Sequence, residues 1–359
     1  MSFEFQRRMH DAARLVRAGD LHAATGAIQQ ALRGHHAAAH RPSPQATSAD
    51  GMVLDAQSRE LPAADQPSSP GEHTPAAAGG EAGSFTAHRF GEGRGQREYW
   101  LYVPPQADRE PLPLVVMLHG CTQDPRDFAA GTRMNEAARR QGCYVLYPAQ
   151  SPQANPQRCW NWFKHSHQQR GRGEPALLAA MTRAVMASHA VDPARVYVAG
   201  LSAGGAMAAI LGDAYPDLFA AVGVHSGLAS GAARDLPSAL AAMRSGAAPG
   251  STASAVPTIV FHGDADTTVH PGNGGHVVDA SPGRDDAQPQ VERHRPAGAR
   301  SYTRRVHRSA AGHEVAEHWL VHGAGHAWSG GSRQGSFTDP AGPDATAEML
   351  RFFLQHRRG

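Results

Sequence analysis

Short apolar runs recur along most of this chain, separated by helical patterns and glycine- or proline-bearing turns. Tyr99 to Val103 alternates as a strand does, and Leu114-Val115-Val116-Met117-Leu118 is continuously apolar, as a strand buried on both faces should be. Tyr144 to Tyr147, Arg195 to Ala199, Ala220 to Val224, Thr258 to Phe261 and His318 to Val321 repeat the pattern. Pro175 to His189, Ala206 to Ala214 and Ala345 to His356 read as helices between or after them. Such alternation, from Phe85 onward, predicts an α/β fold with a mostly parallel sheet and helices on both faces. Ala229 to Ala255 is rich in Ala, Ser and Gly, and Val277 to Gly298 is polar and Pro-rich. Both are expected to be surface excursions or a cap.

The N-terminal part differs. Met9, Ala12, Ala13, Leu15 and Val16 face one way on a short helix, and Gly19-Asp20 breaks it. Ala23, Ala24, Ala27, Ile28, Ala31 and Leu32 face one way on a second helix that Gly34 ends. Residues 1–34 are therefore expected to form an amphipathic helical hairpin. One hairpin cannot bury its own face, so it should dock on the rest of the chain or on a second subunit. Residues 35–83 are Ala-, Pro-, Ser- and Gly-rich without periodicity and read as a disordered, flexible linker. Residues 84–359 remain for the main domain.

Composition narrows the partners. With 359 residues, 41% hydrophobic and 18% charged, the chain is an ordinary globular one. A formal net charge of +2 gives no electrostatic case for nucleic acid or an anionic membrane. No apolar run is long enough for a transmembrane helix. The first residues carry Glu4, Arg7, Arg8 and Asp11 instead of an apolar core, so no signal peptide is read there. Three cysteines cannot all pair within one chain. Cys143 sits in an expected buried strand and reads as a packed thiol; Cys121 and Cys159 lie beside motif residues and could pair.

The chemistry lies at strand ends. Val196 to Ala199 leads into Gly200-Leu201-Ser202-Ala203-Gly204 and then into a helix, the strand–turn–helix setting in which G-x-S-x-G is a nucleophile elbow. A serine hydroxyl needs a base to take its proton and an acid to orient that base. In α/β-hydrolases these follow in the order Ser, Asp or Glu, His. Here the acid follows Thr258 to Phe261 in His262-Gly263-Asp264-Ala265-Asp266, where Asp266 is favoured and Asp264 reads as a turn residue bonding local backbone. The base follows Trp319 to Val321 in His322-Gly323-Ala324-Gly325-His326, where His326 lies beyond the strand end and His322 at its terminus. His270 is a weaker third candidate. An oxyanion hole is expected from the backbone N–H of Ala203 and from the loop after Leu118, with Cys121 the candidate there.

Taken together, Leu118-His119-Gly120-Cys121-Thr122-Gln123, Tyr147-Pro148, Cys159-Trp160-Asn161-Trp162-Phe163, Gly200 to Gly205, His262 to Val269 and Gly325-His326-Ala327-Trp328 resemble the poly(3-hydroxybutyrate) depolymerase-like esterases of the α/β-hydrolase superfamily. The resemblance spans about residues 90 to 357. It implies a serine carboxylesterase with no metal or organic cofactor and an extracellular setting, against which the missing signal peptide favours the cytoplasm. It leaves the substrate open between hydroxyalkanoate polyesters or their oligomers and feruloyl or acetyl esters of plant polysaccharide. It also places the Trp160–Trp162 segment near the site, either as an apolar wall for substrate or as a core cluster. A Cys121–Cys159 disulfide, between residues 38 apart, would tie the oxyanion loop to that segment and add roughly 3–4 kcal/mol. The rival of another class is a non-catalytic protein that its hairpin tethers to a granule or membrane.

Overall fold

A twisted sheet organises the protein, and its strand order brings the motif loops to one edge. The computed structural model describes residues 82–107, 109–247, 256–281 and 288–359. The expected hairpin (1–34) and all but the end of the expected linker (35–83) lie outside them, as does the docking expected of the hairpin.

Strands β1 (Ser84–Phe90), β2 (Arg97–Val103), β3 (Leu112–Leu118), β4 (Tyr144–Pro148), β5 (Val191–Leu201), β6 (Ala221–His225), β7 (Thr258–Gly263), β8 (Gln290–His294), β9 (Tyr302–Arg308) and β10 (Glu314–Val321) form one sheet in the order β1-β2-β4-β3-β5-β6-β7-β10-β9-β8. The central run β4-β3-β5-β6-β7-β10 is parallel throughout, as its apolar runs predict, while β1-β2-β4 and β10-β9-β8 pair antiparallel at the two edges. This is the fold of an α/β-hydrolase.

Helices α1 (Pro125–Thr132), α2 (Met134–Gln141), α3 (Gly173–Ser188), α4 (Ala203–Ala214), α5 (Leu236–Ser245), α6 (Gly272–Asp279) and α7 (Ala345–Leu354) cover the sheet. The strands serve both faces through the period-2 alternation of their side chains. Leu114, Val116 and Leu118 of β3 pack in the core layer that holds Leu178 and Met181 of α3 and Met207 and Leu211 of α4. Val115 and Met117 of the same strand pack in the opposite layer, with Phe128 of α1, Met134 of α2 and Phe352 and Phe353 of α7.

Local chemistry sets the helix starts. Asp124 caps α1 by accepting from the N–H of Arg126 and of Asp127, both at 3.0 Å, with Pro125 at the first helical position. Asp235 and Ser238 form a capping box at α5.

Two expectations are corrected here. Ala229 to Ala255 carries α5, whose Ala239 and Ala242 pack into the main core, so it is more than a surface excursion. Val277 to Gly298 carries the end of α6 and β8, which extends the sheet. A polar edge strand such as Gln290–His294 buries neither face, so its composition reads as a loop.

Candidate active site

The registers of the parallel strands align the ends that carry chemistry. Leu201 of β5 pairs with His225 of β6, and His225 with Phe261 of β7; Phe261 in turn pairs with Trp319 of β10. The segments leaving these strands therefore emerge at one edge of the sheet. They are Ser202, Ser226, the 264–269 turn and the 322–329 loop.

Ser202 stands in the elbow with φ 59° and ψ −119°, a conformation that L residues rarely adopt. The turn is held by backbone bonds, with the Ser202 N–H donating to the His225 carbonyl at 2.8 Å. Crowding explains the flanking glycines. A Cβ on Gly204 would lie 2.1 Å from the Leu118 carbonyl oxygen, and one on Gly200 would lie 2.4 Å from Gly204 C. The sequence G-x-S-x-G is thus what close contact between β3, β5 and α4 requires. Among the described residues the Ser202 hydroxyl is tied to no other group.

Asp266 and His326 meet 60 residues apart, with Nδ1 of His326 at 2.7 Å from Oδ2 of Asp266. The other carboxylate oxygen, Oδ1, accepts from the N–H of Thr268 at 2.8 Å and of Val269 at 2.9 Å. Burial by itself would raise the Asp266 pKa, but hydrogen bonds from His262 and His326 with the Val269 N–H hold it well below the usual carboxylate range. An ionised Asp266 makes Nδ1 of His326 the protonated nitrogen and leaves the Nε2 lone pair to act as a base.

The 322–329 loop is fixed on both sides of His326. Trp328 stacks on the His225 ring, with centroids 5.1 Å apart, and its Nε1 donates to Thr346 at 3.0 Å. The Ser329 N–H donates to Nε2 of His225 at 2.9 Å. His225 thereby joins the His326 loop to the strand end next to Ser202. Burial pushes its pKa down to about 3, so the ring is neutral; Nε2 accepts, and Nδ1 carries the proton beside Ser226 Oγ at 3.2 Å.

A second pair stands alongside. His322 Nδ1 lies 2.7 Å from Asp264 Oδ2, and the Gly323 N–H donates to Asp264 Oδ1 at 2.6 Å. Asp264 therefore bonds the neighbouring loop, a correction to the expectation of local backbone partners, because β7 and β10 are adjacent and their outgoing loops meet. His270 points elsewhere: its Nδ1 accepts from the Gly272 N–H at 3.1 Å, at the start of α6.

On the β3 side, the N–H groups of Cys121 and Ala203 donate to no group among the described residues, as oxyanion donors must be free to do. The loop around Cys121 is heavily braced. Gly120 N–H donates to Gln123 Oε1 at 2.9 Å, and Gln123 Nε2 donates to Asp127 at 2.9 Å. His119 is buried and neutral, its pKa pushed down to about 4, with Nδ1 donating to the Gly120 carbonyl and Nε2 accepting from the Gln150 N–H. Cys121 and Cys159 are joined in a disulfide.

Trp160 and Trp162 are 1% and 5% exposed and pack in the core. Trp160 donates from Nε1 to the His119 carbonyl at 3.1 Å and lies against the His119 ring. This corrects the substrate-wall reading of both residues. The segment braces the loop around Cys121, and buried Glu174 holds it by accepting from the Asn161 N–H and side chain and from Gln150.

Sequence reasoning missed His225 and underrated His119. The available signal for His225 was its place at the carboxyl end of a central strand, beside the serine.

Fold and strand-end geometry together define an α/β-hydrolase of the serine type. The family described as esterase PHB depolymerase matches residues 97–287, more than half of the chain, and the chain belongs to that family. Poly(3-hydroxyalkanoate) depolymerase C of Paucimonas lemoignei is 32% identical over 253 residues, 66% of this chain and 60% of that protein. Feruloyl esterase B of Thermothelomyces thermophilus is 34% identical over 151 residues, 42% of this chain and 50% of that protein. The chain thus spans between 50% and 60% of the length of these two curated relatives. The solved acetyl xylan esterase from Aspergillus awamori superposes with a TM-score of 0.56 at 22% identity, over 67% of this chain and 94% of that one, and so shares the fold. Among the described residues no cluster of His, Cys, Asp and Glu suits a metal ion, and no helix is long and apolar enough to cross a membrane.

Proposed function

We propose that this protein is a serine carboxylesterase working through an acyl-enzyme. The observation that carries this reading is the buried His326–Asp266 contact at 2.7 Å, at the sheet edge where Ser202 stands in its elbow. Ser202 Oγ attacks the ester carbonyl carbon while Nε2 of His326 takes its proton. The N–H groups of Cys121 and Ala203 receive the developing oxyanion. Collapse expels the alcohol, which takes the proton from His326. Water then attacks the acyl-enzyme by the same route, and the carboxylic acid leaves with Ser202 restored.

The substrate class we favour is hydroxyalkanoate polyester or its oligomers. Support comes from the family and from the Paucimonas lemoignei depolymerase, which matches over more of this chain than the feruloyl esterase does. Feruloyl or acetyl esters of polysaccharide form the second reading, supported by the feruloyl esterase relative at 34% identity. An extracellular or otherwise oxidising setting is supported by the Cys121–Cys159 disulfide.

The test is turnover of p-nitrophenyl butyrate, followed by release of acid from amorphous poly(3-hydroxybutyrate) and from methyl ferulate. Hydrolysis of the aryl ester and the polyester is expected. Ferulate release without polyester release would move the substrate to the second reading. No turnover on any of the three by the folded protein would refute the esterase and favour the tethering alternative.

A further inference from the structure

A cavity of about 640 Å³ lies beside the loop that follows Leu118, lined by Arg89, Arg97, Arg126 and Arg158 together with Trp100, His119 and Gln123. Gly120 adjoins the lining residue His119, and a Cβ added to it would lie 3.1 Å from Oε1 of the lining residue Gln123 and 3.7 Å from Ser202 Cβ.

The lining carries more positive than negative charge. Its two carboxylates, Glu98 and Asp124, are already engaged. Glu98 accepts from Trp100 Nε1 at 3.0 Å, and Asp124 caps α1 with Arg158 at 3.8 Å. Arg89, Arg97 and Arg126 have no acidic partner among the described residues. Nε of Arg97 is buried with no hydrogen-bond partner, and the Arg126 guanidinium lies over the Trp100 ring at 5.4 Å. Backbone strain adds a second observation. Arg158 has φ 51° and Thr122 has φ 66°, beside Cys159 and Cys121 of the disulfide. Non-glycine residues held in this region cluster at functional sites.

We propose that this cavity binds a carboxylate that the substrate carries away from the scissile ester. Guanidinium groups match the planar carboxylate with paired N–H donors, and a cluster in which three of four lack an acidic partner selects that charge over a neutral cap of similar size. Two sources of the carboxylate fit: the free-acid end of a hydroxyalkanoate oligomer, and a uronate unit of a polysaccharide. The choice of these ligands rests on the esterase reading; the anion site itself does not.

The experiment titrates the Ser202→Ala protein in a calorimeter with two matched pairs. One is the 3-hydroxybutyrate trimer as free acid and as methyl ester. The other is an acetylated xylo-oligomer with and without a glucuronate unit. At least one acid is expected to bind tenfold or more tightly than its neutral counterpart, and the pair that does so identifies the source. Arg97→Gln with Arg126→Gln should erase that ratio. Arg89→Gln with Arg97→Gln serves as a second pair of substitutions, should the first disturb folding, and should reduce the ratio as well. Equal binding of acid and neutral forms in both pairs, or a preference that survives both double variants, overturns the proposal. Acid-selective binding in a protein whose parent hydrolyses no ester would refute the esterase and leave the anion site standing.

Discussion

Two Asp–His contacts of equal length stand in the same two loops, and their surroundings tell them apart. Asp266–His326 and Asp264–His322 both measure 2.7 Å. The side chains of the first pair are 0% and 12% exposed, those of the second 37% and 38%. Water screens the exposed pair, whereas the buried carboxylate acts on its imidazole through a low dielectric. Asp266→Asn should therefore lower kcat by about 10⁴-fold with the fold intact, because the wrong imidazole tautomer results. Asp264→Asn should change kcat by no more than about threefold, the scale of an exposed pair. Equal losses in the two variants would show that burial does not select the acid. Asp266 stays ionised across the neutral range because its pKa is lowered, so its own protonation should not appear in the pH–rate profile above pH 5.

At the scale of elements, the sequence and the structure agree where a segment is buried on both faces and part where it is not. Leu114 to Leu118 and Thr258 to Phe261 lie within strands because their apolar content has no other use. Gln290–His294 is the edge strand and Tyr302–Arg308 the strand next to it; their Arg, His and Glu side chains look like loop, and neither was legible. That Ser202, Asp266 and His326 stand at one edge of the sheet was legible because each follows a readable strand. His225 was not, among 22 histidines, because its importance comes from the groups packed around it. The Trp160–Trp162 segment was legible as belonging near the site, but only packing could show that it faces inward.

The disulfide is the covalent part of that brace. Cys159→Ser should cost roughly 3–4 kcal/mol of unfolding free energy for a 38-residue separation. It should also lower kcat for p-nitrophenyl butyrate more than it raises KM, since the loop it frees carries the Cys121 N–H proposed as an oxyanion donor. Urea unfolding and steady-state kinetics on the variant check both. Unchanged stability would show that packing around Trp160 holds the loop without the bond.

For the whole molecule, buried neutral histidines make stability depend on pH. Burial holds His119 near pKa 4, and His225 and His318 near 3, against about 6.5 in an unfolded chain. Between these values the unfolded chain binds protons that the folded protein refuses. Stability is therefore fully present above about pH 6.5 and is lost as pH falls toward 4, by up to about 1.4 kcal/mol per pH unit for each group. Unfolding free energies from urea titrations at pH 7, 6 and 5 should fall in that order, and a flat series would contradict the burial of neutral imidazoles.

If the His326–Asp266 pair activates Ser202 as the nucleophile, a fluorophosphonate will react there, as intact-mass and peptide mass spectrometry can read. One adduct per chain is expected, on Ser202, absent from Ser202→Ala and formed at least about 10³-fold more slowly in His326→Ala. An adduct on another residue, or equal labelling of the His326→Ala protein, would contradict it.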